Sequence, residues 1–265
     1  MKITRHSKTS RLLTAVAAIG TMALVAASPA MAGSGSSTGG AKGSGYNAIP
    51  GSVSGNVPSV SFEGAPAKEF GDLIALGGKA RNLDSVSVLL SSWGCETGNY
   101  YADGDCQTTP GATFQLPMTF TIYGIDGMVL AQKTATITVP YRPSASAQCT
   151  GGDAGKWYNS NDRTCYNGFP TVAKVKMSAA SPLPDQVIWS VQYNTTSSGY
   201  SPLGNVLPCS TLVAGCGYDT LNVGAFSYPN APFAGTDIDP DAVFFDGAMQ
   251  SGWTGYRPLG AISTR

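Results

Sequence analysis

The chain has 265 residues with sixteen basic and sixteen acidic side chains, so its formal net charge is zero. Four of the basic residues and none of the acidic ones lie in the first 32 positions. The rest of the chain therefore carries twelve basic against sixteen acidic side chains, a net charge of −4. That balance argues against an extended basic surface for nucleic acid. The single histidine, His6, also lies in the first 32 residues, which excludes a Ser-His-Asp triad from the remainder.

The N-terminal segment, residues 1–32, has the three parts of a secretory signal peptide. Basic residues come first, residues 12–27 are apolar, and Ala30-Met31-Ala32 supplies small side chains for cleavage. The apolar stretch is shorter than the roughly twenty residues that a membrane-spanning helix needs. We expect cleavage after Ala32 and a secreted, extracellular product without a membrane span.

Residues 33–58 are predicted to be a flexible leader, because their first part consists largely of Gly and Ser and cannot bury enough apolar surface to order itself. The folded domain is expected over residues 59–265.

Strand patterns dominate this domain. Apolar and polar side chains alternate in residues 83–90, 118–123 and 187–193, as in half-buried antiparallel strands. Further candidate strands lie at residues 72–77, 128–139, 171–177, 219–226, 242–245 and 257–262. No segment shows a convincing amphipathic helix of three turns. The prediction is an all-β protein, a single two-sheet sandwich of jelly-roll type.

Six cysteines follow the signal segment, and an even number in an exported chain indicates disulfides. They fall into three local pairs, each enclosing a Gly- or Ser-rich loop. The predicted disulfides are Cys95–Cys106, Cys149–Cys165 and Cys209–Cys216. The spacings do not match a zinc site, and no cofactor motif is present, so we assign no metal-binding residue and expect no cofactor.

A glycoside hydrolase remains an alternative, since it needs only two suitably spaced carboxyl groups. The chain has three glutamates, Glu63, Glu69 and Glu96, and no strand clusters them. All three lie in segments flanked by Pro or Gly, where we expect them to be solvated.

One acidic stretch leaves two interpretations open. Asp237, Asp239 and Asp241 stand at alternate positions, a spacing of oxygen ligands that can hold calcium. Pro240 and the mismatch with the EF-hand pattern favour a solvated acidic loop.

Aromatic pairs in two of the predicted disulfide loops suggest a ligand platform, because a stiff exposed ring binds an apolar sugar face at low entropic cost. Neighbouring polar groups could orient the ligand. Successive side chains of an extended segment point in opposite directions, so at least one ring of each pair is expected to be structural. The candidate ligand-binding residues are Tyr100, Tyr101, Lys156, Trp157, Tyr158 and Asn159.

Four segments together resemble a group of uncharacterised exported actinobacterial-type β-sandwich proteins with no assigned function. They are residues 70–76 (FGDLIAL), 86–95 (VSVLLSSWGC), 140–144 (PYRPS) and 216–224 (CGYDTLNVG). The resemblance implies a secreted β-sandwich and transfers no catalytic residue. The leading hypothesis is non-catalytic binding of carbohydrate or another cell-envelope component, and the first alternative is a structural or adhesive extracellular protein without a small-molecule site.

Overall fold

The computed structural model describes residues 43–55, 59–61, 68–98, 105–193, 219–222 and 232–265. They belong to one compact unit that spans residues 39–265. The predicted signal peptide lies outside the described residues.

Two antiparallel sheets make up the unit, as the alternating sequence patterns predict. The first sheet contains β1 (Ser44–Asn47), β2 (Ser59–Ser61), β4 (Leu83–Ser92), β9 (Phe169–Lys176), β11 (Asp219–Asn222) and β15 (Gly260–Thr264). Strand β4 is its centre, with β9 paired on one edge and β15 and β11 paired at successive positions.

The second sheet is built on the neighbouring strands β3, β10, β5 and β6. Its members are β3 (Lys68–Ala75), β5 (Thr113–Tyr123), β6 (Val129–Pro140), β10 (Gln186–Tyr193), β12 (Thr236–Asp237), β13 (Ala242–Phe245) and β14 (Ala248–Ser251). A separate hairpin pairs β7 (Trp157–Asn159) with β8 (Thr164–Tyr166).

One hydrophobic core lies between the two sheets. The apolar positions of the alternating segments all contribute to it, for example Val86 and Val88 of β4, Phe120 of β5 and Trp189 of β10, each fully buried. The fold is thus all-β and sandwich-like, and the only helix in the described ranges is a short 3-10 turn at Gly151–Asp153.

The predicted boundary between leader and domain is wrong. Strand β1 lies inside the segment assigned as a flexible leader, yet it pairs with β15 and buries Tyr46 in the core. The prediction rested on the Gly and Ser content of this segment and did not take the tyrosine into account. Burial of its ring offsets the conformational entropy that the strand loses when it becomes ordered. Further along the same segment, the Ser54 carbonyl accepts a hydrogen bond from Asn159 in β7 (2.7 Å).

Two of the three predicted disulfides are confirmed: Cys95–Cys106 and Cys149–Cys165. Cys209 and Cys216 lie outside the described residues. Among the residues that are described, no helix is long and apolar enough to cross a membrane.

Candidate functional site

A surface cleft of about 730 Å³ lies beside the two disulfides. One wall is the segment 108–112, which follows Cys106, and another is the segment 143–147, which leads to Cys149. Tyr158 from the β7–β8 hairpin and Phe169 at the start of β9 complete the lining, together with Tyr141 just after β6. A volume of this size falls within the range of small-ligand sites.

Three aromatic residues and three prolines make up about half of the described residues that line the cleft. Tyr141, Tyr158 and Phe169 are half-buried, and Pro110, Pro140 and Pro143 lie around them. The ring of Tyr141 packs against the core residue Phe114 at a centroid distance of 4.9 Å, which anchors it in place. Rings held in this way present an apolar face without the entropy cost of ordering a mobile side chain.

Backbone hydrogen bonds fix the walls to each other. The Tyr141 N–H donates to the Ala112 carbonyl (3.1 Å), the Ala145 N–H to the Cys106 carbonyl (2.9 Å), and the Ser146 N–H to the Lys156 carbonyl (2.9 Å). These contacts tie the segment 141–146 to both disulfide-bonded loops, so the cleft is preformed.

Arg142, between Tyr141 and Pro143, is buried beneath the cleft and does not line it. Its side chain is 0% exposed and donates a hydrogen bond from Nη2 to the Gly155 carbonyl (2.7 Å). Burial lowers the pKa of its guanidinium to about 10, because desolvation penalises the charged form. The bond to Gly155 holds the segment before β7 against the segment after β6.

None of the described residues that line the cleft is charged. Within the described lining there is no carboxyl group that could supply the acid and base of glycoside hydrolysis. This part of the lining also contains no cationic side chain that could pair with an anionic ligand. Its polar lining includes the hydroxyl groups of Ser144 and Thr108. The Ser144 hydroxyl accepts a hydrogen bond from the Thr108 N–H and donates one to the Thr108 carbonyl, and the Thr108 hydroxyl accepts one from the Glu96 N–H. The arrangement suits an uncharged ligand with apolar faces and hydroxyl groups.

The assignment of Trp157 as an exposed ligand platform is wrong. Its ring is 5% exposed, packs against Tyr166 and Phe169, and donates from Nε1 to the Gly168 carbonyl (3.0 Å). Tyr158, the next residue, points the opposite way and lines the cleft, as strand alternation requires. The structural member of this pair is therefore Trp157.

The polar neighbours of this pair already have partners within the protein. The Lys156 ammonium forms a salt bridge with Asp153 (2.7 Å), and the Asn159 amide donates to the Ser54 carbonyl while its oxygen accepts from the Asn161 N–H. Neither residue lines the cleft. Tyr100 and Tyr101 lie outside the described residues.

The glutamates do not form a catalytic pair in the described part of the chain. Glu69, which the flanking residues predict to be solvated, lies half-buried in β3, where its carboxylate accepts hydrogen bonds from Tyr123 and Ser190. Glu96 accepts a hydrogen bond from the Thr109 N–H (2.7 Å), which lowers the pKa of its carboxyl group, opposite to what a general acid needs. Glu63 lies outside the described residues.

The acidic stretch does not converge on a common point. Asp239 and Asp241 are exposed, whereas Asp237 is buried and forms an ion pair with Arg257 (2.7 Å). Within the described ranges, no three His, Cys, Asp or Glu side chains lie close enough together to hold a metal ion. The calcium interpretation thus finds no support in the arrangement of these side chains.

A second groove, of about 490 Å³, differs in chemistry from the cleft. Lys133, Lys176 and Arg265 line it together with one carboxylate, Asp84. The Lys133 ammonium donates to the Lys176 carbonyl (2.8 Å), which holds it between β6 and β9. This groove presents cations where the cleft presents neutral rings.

Sequence reasoning found Tyr158 but missed Tyr141 and Phe169. The available signal was the Pro-Tyr-Arg-Pro run at residues 140–143, which places a ring between two prolines directly after a long strand.

Comparison of the chain with protein-family models and with curated proteins found no match.

Proposed function

We propose that the protein is a secreted, non-catalytic binding protein whose cleft holds an uncharged carbohydrate or a similarly uncharged cell-envelope component. The observation that carries this proposal is the lining of the cleft: half-buried tyrosines and prolines, with no charged side chain among the described residues. Aromatic faces stack on the apolar face of a sugar ring, and fixed loops keep the ordering cost of binding low.

The proposal includes three finer features: export through residues 1–32, a jelly-roll arrangement, and kinship with the exported β-sandwich group. Two disulfides support export, because such bonds persist in oxidising compartments. The chain crosses repeatedly from one sheet to the other, from β3 to β4, β4 to β5 and β9 to β10, which supports a jelly roll.

Retention of the purified protein on insoluble polysaccharides and cell walls tests the proposal. Tyr158→Ala removes one ring of the cleft and should weaken retention about tenfold or more. That factor corresponds to about 1.4 kcal/mol, within the ~1–3 kcal/mol range for ring stacking on bases, which we apply by analogy. The matched control is Tyr256→Ala, since Tyr256 is 42% exposed and does not line the cleft. Equal retention of the two variants, or no retention of the wild type on any uncharged polysaccharide, contradicts the proposal.

The same assay separates two other ligand modes. If an anionic wall polymer is retained and Lys133→Ala abolishes this retention, the second groove is the binding site.

A structural or adhesive role has its own support in the β5–β6 turn, where Ile125 and Met128 are 65% and 66% exposed. Loss of retention in the double variant Ile125→Ser/Met128→Ser, with Tyr158→Ala unaffected, favours that adhesive role.

A further inference from the structure

A group of ionisable side chains is buried at the edge where the two sheets meet. Asp72 of β3 is 0% exposed and lies on the core face between Phe70 and Ile74. Asp237 of β12 pairs with Ile74, which makes it a diagonal neighbour of Asp72, typically about 7–8 Å away on the same face. Arg257, in the segment before β15, forms the ion pair with Asp237.

Tyr46 of β1 brings the other sheet into this group. Its ring is fully buried and lies close to Gly235, two residues before Asp237. Asn47 and Ala234 are joined by a backbone hydrogen bond of 2.9 Å, and the Ile238 N–H donates to the Leu73 carbonyl (3.2 Å). The segment 234–238 therefore bridges β1 of one sheet and β3 of the other.

The charges and hydrogen bonds of this group do not balance when both carboxyl groups are ionised. Two carboxylates face one guanidinium, which leaves one uncompensated negative charge in a buried setting. Three of the oxygens have no hydrogen-bond partner among the described residues: Asp72 Oδ2, Asp237 Oδ1 and the Tyr46 hydroxyl. Native proteins rarely leave such buried groups unpaired, because each has lost its hydrogen bonds to water without gaining a partner in the protein.

We propose that Asp72, Asp237, Arg257 and Tyr46 form a proton-binding latch, in which one proton held on the Asp72 carboxyl keeps the segment 234–238 docked between the two sheets. The proton cancels the excess negative charge. It also turns the Asp72 carboxyl into an O–H donor, so that this group and the Tyr46 hydroxyl supply two donors for hydrogen bonds among the unpaired oxygens. Loss of this proton places two buried carboxylates at the same edge and loosens it.

The electrostatic surroundings of Asp72 agree with this assignment. Burial, followed by the negative charges of Asp237 and Asp239, raises the pKa of Asp72 well above its usual range, and the charge of Arg257 opposes them only in part. Burial also raises the pKa of Tyr46, which keeps the hydroxyl proton in place. The folded state thus holds a proton that the unfolded chain releases near pH 4. The stability from this proton is complete below that pH and is lost as pH rises through the higher pKa of the folded state.

Urea unfolding of the purified protein from pH 4 to pH 8 tests the latch. The unfolding equilibrium constant of the wild type should rise at least tenfold more across this range than that of Asp72→Asn, because asparagine is neutral at every pH. The matched control is Asp84→Asn, which replaces an aspartate in β4 outside the latch. Its unfolding equilibrium constant should depend on pH as that of the wild type does. The same pH dependence in wild type and Asp72→Asn overturns the proposal.

Two measurements on the wild type keep the proposal testable if Asp72→Asn does not fold. Carbon-13 NMR of labelled aspartate should show one carboxyl group that titrates well above the others, and titration of every aspartate in the usual acidic range overturns the proposal. Hydrogen-exchange protection factors at Asn47 and Ile238 should fall with rising pH by a larger factor than that of Thr121 in the core strand β5, whose exchange reports only global unfolding. A fall at Asn47 and Ile238 that is no larger than the fall at Thr121 contradicts a latch confined to this edge.

Discussion

Trp157 and Tyr158 are chemically similar neighbours with opposite roles. Strand alternation sends the Trp157 ring toward Phe169 and Tyr166 and the Tyr158 ring toward the cleft. The indole also donates a hydrogen bond to the Gly168 carbonyl. Ring packing and this hydrogen bond together attach the β7–β8 hairpin to the start of β9.

At the residue scale we therefore predict that Trp157→Ala destabilises the protein by about 3–5 kcal/mol, the usual cost of removing a buried aromatic side chain. Urea unfolding measures this loss. Ligand retention by the folded fraction should fall much less than in Tyr158→Ala.

Trp157→Phe serves as the control, because it keeps an aromatic ring in the packed site and loses the bond to Gly168 together with part of the ring volume. It should cost less than the alanine variant. A small loss of stability combined with loss of retention in Trp157→Ala would restore this residue as a ligand platform.

At the scale of elements, the two sheets meet closely at Gly260 in β15. A side chain at this position would collide with the ring of Trp189 in β10 of the opposite sheet. Since Gly260 does not have a positive φ, the restriction comes from the space that the indole fills and not from the backbone conformation. Glycine here lets the largest core side chain reach across the sandwich.

We predict that Gly260→Ala destabilises the protein by about 1–3 kcal/mol through overpacking against Trp189. Thermal or urea unfolding measures the effect. The control is Gly152→Ala, where the added methyl group meets no neighbour within 4 Å and φ is not positive. Equal stability of the two variants would mean that the sheets move apart at little cost.

At the scale of the whole molecule, charged groups and aromatic groups occupy different places. The described lining of the cleft is neutral, the two lysines of the second groove lie on β6 and β9, and the buried carboxylates lie at the β1–β12–β3 edge. No two described glutamates share a cleft, and Glu69 is held by Tyr123 and Ser190 on one strand face. This separation is one ground on which we propose binding rather than hydrolysis.

We accordingly predict that the purified protein does not hydrolyse β-glucans, xylan, chitin or peptidoglycan, as measured by release of reducing ends. Glu69→Gln and Glu96→Gln are the informative variants. Turnover in the wild type that disappears in either variant would establish the hydrolase alternative in place of the binding proposal.

Local patterns predicted most of the strands and two of the disulfides, but fewer parts of the site. Residues 242–245 coincide with β13, and the predicted strand at 128–139 is β6 displaced by one residue. Tyr158 was identified from its place in a disulfide loop, whereas Tyr141 and Phe169 were not, because they reach the cleft from segments on either side of that loop.

The sequence by itself determined the features that arise from neighbouring residues: period-two alternation for strands, and short cysteine spacings for the Cys95–Cys106 and Cys149–Cys165 bonds. Only the tertiary structure decided that β1 belongs to the sandwich and that Tyr46, Asp72 and Asp237 share one buried edge. The physical reason is that burial and charge coupling depend on pairing between distant strands. Composition and spacing along the chain do not encode these pairings locally.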